Sequence, residues 1–245
     1  MTARLFYAVV FVLALICPLA ASAAMPGRTA NWQVVLAAGD ASLPVFDDAT
    51  AAFARRLVAA GVPPADIHRL SASAAEQKAG IAPATRGRLL KEIADLPARP
   101  GDRCLVFLTS HGERGAGLWL SLSNTVLTPD ELARALSIGC AAVPTVVIVS
   151  GCYTGAFAAG AMRRPNRIIL TAARADRPSF GCQAGRTYTF FDQCLLEALP
   201  GAGLWREAFA RTAKCVRRME DQLRMGRSEP QAYFGATVRQ LSLGF

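Results

Sequence analysis

"PTVVIVSGC", residues 144–152, sets four apolar β-branched residues between a proline and a small polar end that finishes on a cysteine. A run this short and this apolar predicts a strand buried on both faces of a sheet. "CLVFL" at 104–108 and "RIIL" at 167–170 read the same way. Upstream, Trp32 to Ala38 predicts a first strand that turns at Gly39-Asp40, and "IHRLSAS" at 67–73 predicts a short second one.

Helical patterns alternate with these runs. From about Asp47 to Ala60, apolar residues recur at helical spacing until Gly61 and the Pro63-Pro64 pair end them. "ATRGRLLKEIADL" at 84–96 predicts a second helix. "LTPDELARALS" at 127–137 predicts a third, with Thr128 as cap, Pro129 in the first turn and Glu131 closing a capping box. "TYTFFDQCLLEAL" at 187–199 and the amphipathic stretch at 204–225 predict two more. Strands alternating with helices predict an α/β fold: a mostly parallel sheet covered by helices on both faces.

The N-terminus reads differently. One arginine precedes an apolar stretch from Leu5 to about Ala20, and Ala21-Ser22-Ala23 offers the small-x-small pattern of a cleavage site. Residues 1–23 are thus expected to be a signal peptide, and residues 24–245 one exported domain, periplasmic or secreted. No later segment is long enough to span a membrane. The net charge of +9 is scattered, with no basic run longer than two residues and only 8% aromatics, so no nucleic-acid surface is predicted.

Six cysteines follow the signal segment: Cys104, Cys140, Cys152, Cys182, Cys194 and Cys215. None forms a CxxC pair, and only His68 and His111 accompany them, so neither a metal site nor a redox dithiol is predicted. No cofactor is called for. Spacing leaves any disulfide among Cys104, Cys140, Cys182, Cys194 and Cys215 open.

Ligand sites of open parallel sheets lie beyond the carboxyl ends of the strands. Three polar tips fall there: "TSHG" at 109–112, "SGCYTG" at 150–155 and "TAARADRPSFGC" at 171–182. If the first two strands are neighbours, His111 and Cys152 meet over one sheet edge. A thiol of ordinary pKa is only a few per cent ionised at neutral pH, and an imidazole beside it can take its proton and return it to a leaving amine. Gly112 leaves its backbone N–H unshielded, and the Cys152 amide is expected at a turn into a helix; the two are candidate oxyanion donors. His68 has no such setting, and a surface or core role is expected for it.

These segments carry a family resemblance. "FLTSHGERGAGLWL" (107–120), "VVIVSGCYTGAF" (146–157) and "ILTAARADRPSFGC" (169–182) resemble the legumain-type cysteine peptidases, peptidase family C13, within the clan that also holds caspases, gingipains and clostripain. The resemblance runs from about Trp32 to Leu199 and implies a caspase-haemoglobinase-like three-layer αβα sandwich. It implies His111 as general base and acid, Cys152 as nucleophile, and Gly112 with the Cys152 amide as oxyanion donors. It also implies a substrate pocket from Ser150, Ser179, Phe180 and Asp192. Legumains carry an acidic residue where Ser150 stands, and an arginine and an asparagine where this chain reads "SLPVFDD" (42–48).

The activity implied is that of a cysteine endopeptidase acting on peptides or proteins through a thioester at Cys152. A transamidase of the same fold, or a silent peptide-binding module, are the alternatives. Specificity, physiological substrate, oligomeric state and a third catalytic group stay open, with Asp40 and Asp47 the only guesses for the last.

Overall fold

The computed structural model describes residues 31–245; the stretch read as a signal peptide, residues 1–23, lies outside them. In chain order the described residues form β1 (Trp32–Ala38), α1 (Val45–Ala59), β2 (Ile67–Ser71), α2 (Ala74–Lys78), β3 (Ala82–Pro83), α3 (Arg86–Ala94) and β4 (Arg103–Thr109). Then come β5 (Gly112–Glu113), β6 (Gly117–Leu120), β7 (Thr125–Leu127), α4 (Pro129–Gly139), β8 (Thr145–Ser150), β9 (Arg167–Thr171), α5 (Phe190–Ala198), α6 (Trp205–Gln222) and β10 (Gln231–Phe234).

Seven strands form one sheet in the order β10-β9-β8-β4-β1-β2-β3, parallel throughout except for β10 at one edge. Because side chains alternate across a strand, each central strand feeds two cores. Val34 and Leu36 of β1, Leu105 and Phe107 of β4, and Val146 and Ile148 of β8 pack with α1, α5 and α6. Their neighbours Val35, Ala37, Val106, Leu108, Val147 and Val149 pack with α3 and α4 on the other face. The result is the three-layer sandwich expected, with the continuous apolar runs at its centre.

Two disulfides pin helices to this frame. Cys104 at the start of β4 joins Cys140 at the end of α4, and Cys194 of α5 joins Cys215 of α6. The expected cap of α4 is present: the Thr128 hydroxyl accepts from Glu131 N–H while Glu131 accepts from Thr128 N–H.

The short elements α2, β3 and β10 were not expected from the sequence, and two further parts of the fold differ from expectation. The chain after His111 forms a small antiparallel sheet, β5-β6-β7, instead of a simple polar tip. The turn after Cys152 enters a short 3-10 stretch, Thr154–Ala158, and no α-helix starts there.

Candidate active site

β4 and β8 are neighbours, in parallel register up to the pair Thr109 and Ser150. One further bond, Ser110 N–H to the Ser150 carbonyl at 3.1 Å, carries the pairing past the strand ends. His111 and Cys152 therefore each stand two residues beyond the last paired position of adjacent strands. The two backbones touch there: a β-carbon at Gly112 would lie 1.9 Å from the Cys152 carbonyl oxygen, and one at Gly151 would lie 2.6 Å from the Ser110 carbonyl oxygen. Both glycines are needed for this approach of main chain to main chain.

Cys152 is half-buried and unpaired. Its sulfur accepts from the Ser179 N–H at 3.3 Å, and its S–H lies 3.5 Å from the Ser179 carbonyl that would accept it. Among the described residues the thiol makes no hydrogen bond to His111. Catalytic contacts are often loose before substrate arrives, so this does not separate the two functionally. Tyr153 follows in the left-handed region at φ 61°, an uncommon conformation for a residue with a side chain. Its N–H donates to the Arg177 carbonyl at 2.9 Å, and the Arg114 guanidinium lies 4.9 Å from its ring centre, so the turn is held from two sides.

His111 is held by contacts to four residues. Its carbonyl accepts from Trp119 N–H at 2.8 Å, and its ring meets Phe46 of α1 edge to face at 5.2 Å. Its Nε2 lies 3.4 Å from Ser42 Oγ and 3.9 Å from Asp40 Oδ1. Asp40 comes from the end of β1, which lies beside β4 on the side away from β8. Three adjacent parallel strands thus deliver a carboxylate, an imidazole and a thiol in spatial order. Asp47, the other guess, faces away: its side chain is buried with Ser71 of β2, and burial raises its pKa. His68 pairs with Glu92 of α3 at 3.1 Å and takes no part.

Gly112 faces Leu118 across the β5–β6 pair, and the flanking bond runs from Trp119 N–H to the His111 carbonyl. That is the non-hydrogen-bonded position of an antiparallel ladder, so the Gly112 N–H is not used by the sheet.

Two of the remaining candidates, Ser150 and Asp192, lie on the α5 face of the sheet. Alternation along β4 and β8 turns Thr109 and Ser150 to that face, and Asp192 of α5 lies there fully buried. Thr109 Oγ1 donates to Asp192 Oδ2 at 2.8 Å. Burial pushes the Asp192 pKa up to about 6, an effect partly offset by the hydroxyls of Ser150, Thr109 and Thr189. Asp192 Oδ1 and Ser150 Oγ miss strict hydrogen-bonding geometry, although the Ser150 hydroxyl lies close enough to favour the Asp192 charge. Ser179 flanks the sulfur, and the Phe180 carbonyl accepts from Phe190 N–H at 3.0 Å, tying that loop to the start of α5. Ser179 is thereby in contact with the Cys152 sulfur, Phe180 follows it on the same loop, and Asp192 sits beneath Thr109, at the end of the neighbouring strand.

Sequence reasoning missed Ser42, Phe46 and Thr109. Thr109 was signalled by its place at the end of β4; Ser42 and Phe46 lie in the stretch 42–48 where the resemblance places an arginine and an asparagine, but their contact with His111 depends on how the loop after β1 folds back. Among the described residues no three His, Cys, Asp or Glu side chains cluster as a metal site.

The sequence model of the Peptidase C13 family matches residues 89–202, which include His111, Cys152 and Asp192. The fold is similar to that of a solved caspase, described as the structure of pro-Sf-caspase-1. The TM-score is 0.58 at 14% identity, over 84% of this chain and 91% of that one. At that identity the likeness speaks for the fold alone. No curated protein matches the chain.

Proposed function

We propose, from the premise that this is a caspase-fold chain of cysteine-peptidase type whose residues 89–202 belong to the peptidase C13 family, that it is an exported, legumain-like cysteine endopeptidase. The observation that carries the reading is the joint delivery of an unpaired thiol and an imidazole by neighbouring strand ends, with Gly112 pressed against the Cys152 main chain.

In this mechanism His111 takes the Cys152 proton and the sulfur attacks the scissile carbonyl. The Gly112 and Cys152 N–H groups receive the developing oxyanion, each such donor being worth about 3 kcal/mol of barrier. The tetrahedral intermediate collapses as His111 returns the proton to the leaving amine, which breaks the C–N bond and leaves a thioester. Water, deprotonated by His111, then releases the acid and restores the thiol. Ser150, Ser179, Phe180 and Asp192 form the substrate pocket. The loosely held Asp192 Oδ1 and Ser150 Oγ are the groups that a donor on the substrate side chain would satisfy.

Export through cleavage of residues 1–23 is part of the same reading. The two disulfides support it, since structural disulfides persist in oxidising compartments.

A peptidyl electrophile tests the proposal. It should modify Cys152 and spare Cys182, the other unpaired thiol, whose pKa is raised by burial and by the neighbouring Cys152. The adduct should disappear in His111→Ala. Equal labelling of both thiols, unaffected by His111→Ala, would remove the peptidase reading.

A further inference from the structure

His111 has two nitrogens, and the structure gives them unequal surroundings. Nε2 points to Ser42 Oγ at 3.4 Å and to Asp40 Oδ1 at 3.9 Å, while Nδ1 has no partner among the described residues. Asp40 is buried at the end of β1, and its Oδ1 already holds Ser42 twice: it accepts from the Ser42 N–H at 2.7 Å and, in a short contact, from the Ser42 hydroxyl. A serine hydroxyl has one proton to give. With that proton committed to a carboxylate, Ser42 Oγ can offer Nε2 only a lone pair. A neutral imidazole meeting a lone pair there must present N–H.

We infer that Ser42 and Asp40 act together as positioning residues that hold neutral His111 as its Nε2–H tautomer, leaving Nδ1 as the nitrogen that exchanges protons in the reaction. This rests on the peptidase reading of His111 and Cys152 and adds the group behind the imidazole. The proton balance is simple. The thiol proton moves to Nδ1 and from there to the departing amine nitrogen; the Ser42 proton stays on Ser42, and Asp40 exchanges none. When His111 is doubly protonated, Nε2–H keeps the same acceptor and the Asp40 charge lies opposite it. The same contact therefore serves both states of the ring. Phe46 fixes the ring plane from one side, but an apolar edge contact cannot choose between two nitrogens. Ser42 can.

Two measurements on the full mature chain decide it. The first is ¹⁵N NMR of histidine-labelled protein at alkaline pH, where imidazole is neutral. The chain has only two histidines, so His68, paired with Glu92, serves as internal reference. Wild type should give the Nε2–H signature for His111, and Ser42→Ala should shift it toward a mixture of tautomers, with His68 unmoved. The second is steady-state kinetics on a peptide substrate. Ser42→Ala should lower kcat by about tenfold to a hundredfold with KM within about twofold, within the range expected when a proton-transfer group loses its orientation. Ser42→Thr, which keeps the hydroxyl, should restore most of kcat, and Asp40→Asn should lose at least as much as Ser42→Ala. Ser42 is exposed, so its replacement does not threaten the fold.

An Nδ1–H signature in wild type, or a Ser42→Ala variant with unchanged tautomer and unchanged kcat, would overturn the assignment. A wild-type chain with no turnover would instead remove the peptidase reading, and the NMR arm would still decide the tautomer.

Discussion

At the scale of single residues, the site is built where ordinary side chains do not fit or are not satisfied. A β-carbon at position 112 would occupy the space of the Cys152 carbonyl, so glycine there is what lets the two strand ends meet. Asp192 is the opposite case, a carboxyl group brought into a place that disfavours its charge. Its pKa rises from 3.8 to about 6 on folding, so between those values the folded chain binds more protons than the unfolded one. Stability then falls as pH rises through that window, levels off above about 6, and is fully recovered below the unfolded value. The shift corresponds to a cost on the order of 3 kcal/mol at neutral pH. Asp192→Asn, which cannot ionise, should therefore lose less stability than wild type between pH 4 and 6. Urea unfolding of both proteins across that range checks it, because other titrating groups cancel in the difference. Parallel curves would mean that Asp192 is not the group titrating. If Asp192 also reads the substrate, the same variant should alter side-chain preference at the scissile position.

At the scale of elements, the strands were legible and the links between them were not. "CLVFL", "TVVIV" and "RIIL" announce buried parallel strands because a residue covered on both faces must be apolar at every position. The cap of α4 was legible for an equally local reason, since Thr128, Pro129 and Glu131 carry it within four residues. His111 and Cys152 followed from the rule that sites lie beyond parallel strand ends, whereas the β4–β8 adjacency that joins them is a fact of topology, visible only in the fold. Ser42 and both disulfides depend on distant segments folding back, which periodicity does not encode. The pairs matter mechanically: Cys104–Cys140 anchors the strand that carries His111, and Cys194–Cys215 anchors the helix that carries Asp192. Loops of 36 and 21 residues are closed. By chain entropy each closure stabilises by about 3–4 kcal/mol. Replacing either pair by alanine should lower unfolding free energy by roughly that amount. Labelling of Cys152 should survive in the folded fraction, because neither bridge touches the site. A loss below about 1 kcal/mol for both pairs would argue that strain or residual denatured structure offsets the entropy.

At the scale of the whole molecule, compartment, pairing and reactivity constrain one another. Among the described residues no helix is long and apolar enough to cross a membrane, and two thiols are unpaired, Cys152 and its neighbour Cys182. An exported chain exposed to oxidants would be expected to pair whatever cysteines geometry allows. A thiol left free in that setting has been kept free by its surroundings, which is what a nucleophile requires. The proposal of signal cleavage after residue 23 then has a consequence that can be counted, because Cys17 lies in the segment that would be removed. Protein recovered from the exported fraction, denatured without reduction, should titrate two thiols and have the mass of a chain beginning at Ala24. Four more should appear after reduction, from the two bridges. Retention of the N-terminal segment would add Cys17 to the first count and raise the mass accordingly. Six free thiols before reduction would place the chain in a reducing compartment and remove the argument for export, while leaving the strand-end geometry of His111 and Cys152 as it stands.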